Sequence, residues 1–228
     1  MDYWSSFWKS QGAASLGQHQ QAQVLRTLDR QPVSPEAFAA IMSSITTMLR
    51  PDGSHALLDL CCGNGAVTRG LFGQFQSVIA VDLAAEFVAQ INRDAPAHVT
   101  ACMGDAKTIE FPAASFDRIL LYAGLQYFSE EETVALFGRL RRWTRPGGRV
   151  VLGDIPDLAR RWRFFDSAER EDAYFSGLQN GQPLVGFWFE SEWLIKLARH
   201  AGFSFATRHD QLPPLPYQHY RFDLVVEA

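Results

Sequence analysis

Three features of the sequence predict an α/β chain built on a largely parallel sheet with helices on both faces. From residue 57 onward short apolar runs alternate with stretches of helical spacing, the first run ends in glycines in "DLCCGNG" (59–65), and the chain finishes on two strand-like runs joined only by "QLPPLPYQ" (211–218). Repeated strand and helix implies parallel pairing through right-handed crossovers. The final connection is too short for a crossover, so the last two strands pair antiparallel.

The elements follow in order. "ALLDLCC" (56–62) is the first strand, and "AVTRGLFGQF" (66–75) has the helical spacing of Val67, Leu71 and Phe75. "SVIAVDL" (77–83) is the second strand, "AAEFVAQINRD" (84–94) a helix, and "HVTACMG" (98–104) the third strand. "FDRILLYAG" (116–124) is the fourth; "SEEETVALFGRLRRWT" (129–144) is a helix with Ser129 as N-cap and Glu132 as its capping-box partner. "GGRVVLGDI" (147–155) is the fifth. A stretch from about 154 to 190 is crowded with aromatics and shows no clean strand; "SEWLIKLARHAGF" (191–203) is then a helix stopped by Gly202. The closing strands are "SFATRHD" (204–210) and "HYRFDLVVEA" (219–228), and their turn places His209, Asp210, Tyr217 and His219 at the edge where the parallel strands end.

Residues 1–50 form a helical cap segment ahead of a main domain over 51–228. Its clearest helix is "SPEAFAAIMSSITTML" (34–49), capped by Ser34 with Pro35 just inside. The leading aromatics Tyr3, Trp4, Phe7 and Trp8 fit either a packed stripe or a lid over a ligand.

The 228 residues are 47% hydrophobic and 20% charged, with a net charge of -4, which suits one globular core and offers no basic field for nucleic acid. No basic start leads into an apolar run, and no stretch reaches a membrane span of about 18 apolar residues. A cytoplasmic protein with neither nucleic-acid nor membrane partners is expected, and its oligomeric state is open. The three cysteines, Cys61, Cys62 and Cys102, lack the paired spacing of a zinc site, so reduced, buried thiols and no metal are expected.

The glycine loop excludes two guests. A dinucleotide site wants Gly-x-Gly-x-x-Gly, but Thr68 stands at the third position, and no Lys followed by Ser or Thr makes a Walker loop. Asp59 would face any pyrophosphate there with like charge. It suits a ligand presenting a cation, an α-amino group or a sulfonium. Asp82 ends the second strand, where a carboxylate accepts hydrogen bonds from both hydroxyls of a ribose. Asp105, after the third strand, is placed to accept from an exocyclic adenine amine, and Tyr122 ends the fourth, where it borders the nucleoside or the reacting methyl group.

On these residues the chain resembles the class I S-adenosylmethionine-dependent methyltransferases. The resemblance is carried by "LLDLCCGNG" (57–65), "VIAVDL" (78–83), "MGDA" (103–106), "FDRILLYAGLQYF" (116–128) and "LRRWTRPGGRVVLGD" (140–154). It implies a Rossmann-like, seven-stranded sheet of order 3-2-1-4-5-7-6 with the last strand antiparallel. It implies S-adenosylmethionine as cofactor, with Asp59, Gly63 and Gly65 around the methionine moiety, Asp82 and Leu83 at the ribose, and Asp105 with Ala106 at the adenine; Tyr122 completes the set. One departure is Cys61, where the family usually has glycine.

Methyl transfer from a sulfonium is an in-line displacement to which the protein contributes mainly positioning. An oxygen acceptor also gains from a general base. Asp154 and His219 are the favoured candidates, with Asp157 and His209 behind them, while His200 suits a helix C-terminus. After the fourth strand stands "YAGLQYF", not the Asn/Asp-Pro-Pro-Tyr/Phe of many methylases of bases and proteins. The magnesium-dependent catechol type needs a carboxylate where Tyr122 and Ala123 stand. A metal-independent reaction on a small metabolite is expected, with the aromatic stretch as the roof of the crevice and Arg160, Arg161 and Arg163 beside it. "GDIPD" with "YQHYRFDLVVE" resembles bacterial biosynthetic-cluster methyltransferases, including ones that tailor sugars. The competing readings are a methyltransferase-like binding module without turnover and, from the similar sheet, a dinucleotide-dependent oxidoreductase.

Overall fold

Leu57 and Leu58, adjacent in the first strand of the main sheet, are both fully buried, because alternate residues of a strand point to opposite faces and both faces here are covered. The computed structural model describes residues 3–228. At the N-terminus lie α1 (Tyr3–Ala14), the short α2 (Gln20–Gln23), a two-residue hairpin of β1 (Thr27–Leu28) and β2 (Gln31–Pro32), and α3 (Pro35–Leu49). The main sheet contains β3 (Ala56–Leu60), β4 (Ser77–Asp82), β5 (Val99–Met103), β6 (Phe116–Tyr122), β7 (Thr144–Pro156), β8 (Phe205–Asp210) and β9 (Arg221–Glu227). Its order is β5-β4-β3-β6-β7-β9-β8, which is the expected 3-2-1-4-5-7-6 once the small hairpin is counted. Only β9 runs antiparallel to its neighbours, pairing with β7 on one side and β8 on the other.

On one face α5 (Glu130–Trp143) and α7 (Ser191–His200) cover Leu58, Leu121 and Val150 through Leu136, Phe137, Trp143 and Leu194. On the other, α3 and the 3-10 segment Thr68–Gln74 cover Leu57, Leu120 and Val151 through Ile41, Ile45 and Leu71. α4 (Ala85–Asn92) packs beside them against β4 and β5 with Val88 and Ile91. The capping box of α5 is closed: Ser129 Oγ accepts from Glu132 N at 3.2 Å, and Ser129 N donates to Glu132 Oε2 at 2.9 Å.

Two elements differ from the sequence reading. The segment after the glycine loop is a 3-10 helix, not an α-helix, because Gly70 and Gly73 weaken α propensity in so short a run. The aromatic stretch is helical in part, with a 3-10 turn at Leu158–Arg163 and α6 (Ala168–Gln179), which has no buried residue to advertise it. Among the described residues no helix is long and apolar enough to cross a membrane.

Truncating a side chain between the layers leaves a cavity that the rigid sheet does not fill. Leu58→Ala is expected to lower the unfolding free energy by about 3 kcal/mol, and loss of the Ser129 cap in Ser129→Ala by about 1 kcal/mol, in urea titrations followed by circular dichroism.

Candidate active site

Left-handed residues mark the carboxyl ends of the central strands. Cys61 (φ 55°) follows β3, Ala123 (φ 57°) follows β6, and Asp154 (φ 59°) lies in β7 at the register shift between Leu152 and Ile155. Each such turn costs a side-chain-bearing residue roughly 1–2 kcal/mol. Together they bend the chain away from the sheet edge and leave a cavity of about 640 Å³, which all three residues line. Glycine would adopt the turn at Cys61 without that cost. The cysteine is accommodated because Gly124 stands opposite, where an added Cβ would lie 2.9 Å from Cys61 Cβ.

The glycine loop is pinned from two sides. Gly63 N donates to Asp82 Oδ2 at 2.8 Å, and Gly63 itself has φ 56°. A Cβ there would come within 2.7 Å of Val24 Cγ1, so the segment after α2 lies directly on the loop. Asn64, fully buried, fastens that segment: its Nδ2 donates to Gln20 O at 2.8 Å and to Gln23 Oε1 at 2.7 Å. Val24, Arg26 and Thr27 thereby become cavity wall.

Asp59 is 2% exposed, and its only hydrogen-bond donor among the described residues is the hydroxyl of Thr68, at 2.7 Å. Burial pushes its pKa up to about 7, with the Thr68 hydrogen bond opposing and the charge of Asp82 adding to the rise. Asp82 is also raised by burial, against the amides of Ala84 and Gly63 that its carboxylate accepts. Asp105 Oδ1 accepts from Lys107 N at 2.8 Å. Burial and the nearby Asp82 raise the Cys61 and Cys62 thiols well above their usual range, which keeps them protonated and poor nucleophiles.

Most of the residues singled out in the sequence converge here. Asp59, Gly63, Asp82 and Leu83 line the cavity, as do Asp105, Ala106, Tyr122 and Asp154. Gly65 shapes the loop from behind, where a Cβ would meet Ile91 Cγ1 at 2.6 Å. Of His209, Asp210, Tyr217 and His219, only Tyr217 lines the cavity, with Tyr220 beside it. His219 sits outside the wall, its ring centroid 4.7 Å from that of Tyr220, and burial lowers its pKa with Asp166 opposing. Asp157 caps the 3-10 turn through Ala159 N and pairs with Arg208 at 2.7 Å; Asp210 pairs with Arg160 at 2.9 Å. His209 lies on a separate groove beside α3, and His200 in the last turn of α7. The N-terminal aromatics pack, Trp4 and Trp8 on Tyr127 with centroids 4.7 and 5.4 Å away, and all four line the cavity.

Residues 57–148 match the family model described as "Methyltransferase domain". The match, the sheet order and a glycine loop flanked by Asp59 and Asp82 agree on one point. Residues 57–148 are a methyltransferase domain. A 2-phytyl-1,4-naphtoquinone methyltransferase of Thermosynechococcus vestitus is 29% identical over 172 residues, covering 72% of this chain and 64% of that protein. A demethylmenaquinone methyltransferase of Lactococcus lactis is 31% identical over 157 residues, covering 63% and 58%. The chain thus spans less than two thirds of the length of these curated relatives. Among solved structures, a SAM-dependent methyltransferase of Methanosarcina mazei superimposes with a TM-score of 0.62 at 16% identity, covering 81% of this chain and 96% of that one. The DhpI-SAM-HEP complex gives 0.65 at 18% identity, covering 98% and 94%. At these identities the structural likenesses establish the fold.

The cavity has a second half that the motifs do not announce. Arg26 is 7% exposed, with its guanidinium carbon 4.8 Å from the Tyr122 ring centroid. Arg221, 8% exposed, donates through Nη1 to Gln126 Oε1 at 2.9 Å and to the backbone carbonyl of Asp154 at 2.5 Å. Asp223 holds the same corner, accepting from Asp154 N at 2.7 Å, and burial pushes its pKa up to about 6. Arg26 lies in a segment without any pattern, so nothing local marked it. Arg221 and Asp223 were visible as charges on a strand otherwise apolar.

The raised pKa of Asp59 fixes the sign of a pH effect. A carboxyl group whose folded pKa lies at about 7, above the ordinary 3.8 of an aspartate, removes stability as the pH rises through that interval. In the ligand-free protein Asp59→Asn is therefore expected to raise the melting temperature at pH 8, with the gain shrinking as the pH falls toward 4. Thermal denaturation across that range checks it; a gain independent of pH would contradict the assignment.

Proposed function

We propose that this methyltransferase chain moves a methyl group from S-adenosylmethionine to a small-molecule acceptor held under the N-terminal aromatics and the turn before β9. The observation that carries the reading is Asp59, a buried carboxyl group with no ion pair among the described residues, at the base of a glycine loop on this sheet. A cationic ligand group there supplies the missing partner and draws the carboxyl group back into its ionised form.

The residues present fit the cofactor. Asp59, Gly63 and Gly65 would hold the methionine moiety, Asp82 and Leu83 the ribose, and Asp105 with Ala106 the adenine, while Tyr122 borders the methyl group. When bound, S-adenosylmethionine supplies an electrophilic methyl group on a sulfonium. The chain's own task is then to exclude water and align the acceptor. Asp154, the base candidate that reaches the cavity, would take the proton of an oxygen acceptor. The quinone named in one relative and the menaquinone precursor named in another support a ring-bearing acceptor, as do the aromatic walls. A tailoring step on a secondary metabolite fits the same pocket.

Calorimetric titration tests the cofactor first. S-adenosylmethionine and S-adenosylhomocysteine are expected to bind in the micromolar range, NAD not at all, and Asp82→Asn to weaken the adenosyl ligands by about tenfold or more, as loss of charge-assisted hydrogen bonds implies. Transfer of a labelled methyl group to quinols and other hydroxylated rings follows. Folded protein that binds no adenosyl ligand would overturn the proposal in favour of an interaction module.

A further inference from the structure

Beyond the cofactor half, and resting on the proposed function for the cofactor's place, the cavity carries unanswered positive charge. Arg26 lines it at 7% exposure with Nε and Nη1 lacking any acceptor. Among the described residues it forms no ion pair, and its neighbour is Tyr122, whose ring it covers. Arg221, 8% exposed on the same wall, is answered in part: it pairs with Asp154 at 3.6 Å and leaves Nε without an acceptor among the described residues. A buried guanidinium is costly unless an anion answers it, and its planar fork matches carboxylate and other anionic oxygens.

The position of Arg26 tells which ligand it serves. Arg26 covers the ring of Tyr122 at the end of β6, the next residue, Thr27, accepts through its carbonyl from the Tyr217 hydroxyl at 3.0 Å, and Asp154 of β7 lines the same cavity. Asp59, Asp82 and Asp105 lie at the ends of β3, β4 and β5 and repel an anion from the opposite half. Tyr122, Tyr217, Tyr220 and Phe164 supply flat apolar surfaces that line the same cavity as the two arginines. We infer that the methyl acceptor is a planar ring compound bearing an anionic oxygen, a carboxylate or an ionised hydroxyl, and that Arg26 holds that oxygen.

The test uses full-length wild-type protein, Arg26→Gln and Arg26→Lys, each checked for folding by circular dichroism. Each is titrated calorimetrically with 2-naphthoate, 2-naphthol and neutral 2-naphthamide, with and without saturating S-adenosylhomocysteine, and with S-adenosylhomocysteine alone. Wild type is expected to bind 2-naphthoate or 2-naphthol at least about tenfold more tightly than the amide, the discrimination of a charge-assisted contact. That preference should vanish in Arg26→Gln and survive in Arg26→Lys, with S-adenosylhomocysteine affinity changing by less than about tenfold in either variant. Proton release on binding marks 2-naphthol held as its anion, which separates the hydroxyl from the carboxylate. Absence of the preference in wild type, or its persistence in Arg26→Gln, overturns the inference. So does a loss of S-adenosylhomocysteine affinity of about tenfold or more in Arg26→Gln, since the arginine would then serve the cofactor's own carboxylate. If wild type binds no S-adenosylhomocysteine but keeps an Arg26-dependent preference for the anion, the proposed function fails and the anion site stands.

Discussion

Asp59 holds a carboxyl group where water does not reach, and the site is arranged around that fact. It sits on β3, the central strand, with a strand paired on each side and helices over both faces. Nothing in the sheet can solvate it, and Thr68 supplies a single hydrogen bond. A carboxyl group so placed either takes up a proton or waits for a cation. That choice ties the stability of the ligand-free chain to its readiness to bind.

The sheet topology explains why the cavity lies where it does. Strand order reverses direction between β3 and β6, so the loops that follow these two strands leave toward opposite faces and open a crevice between them. The left-handed turns at Cys61 and Ala123 stand on either side of that opening, and Asp154 extends it along β7. The strain is local, and the packed layers below compensate for it. Asn64 then draws the N-terminal segment across the loop, so a residue as early as Arg26 reaches the same space as one as late as Arg221.

The fold was legible in the sequence because each central strand is an unbroken apolar run bounded by glycine or an acidic residue, and because the short proline-rich link forces an antiparallel close. The acidic half of the site was legible for the same reason: Asp59, Asp82 and Asp105 each occupy a strand end, a place that periodicity locates. Arg26 was not, since its position depends on the Asn64 contacts, which join residues more than forty apart in the chain. His219 was expected at the ligand edge from the direction of the hairpin. The turn does reach that edge, but Tyr217 and Tyr220 fill the inward places and leave the histidine outside. α6 escaped notice because an exposed helix has no apolar stripe.

The stretch by which the chain is matched to its family, 57–148, contains Asp59, Asp82, Asp105 and Tyr122 but neither of the buried arginines. Arg26 precedes it, and Asp154, Tyr217 and Arg221 follow it. The pocket therefore has two parts, one inside the stretch that the family model describes and one assembled from the chain's flanks. The model speaks for the first part alone. The acceptor does not follow from that match, because the walls that would choose it are drawn from segments outside it.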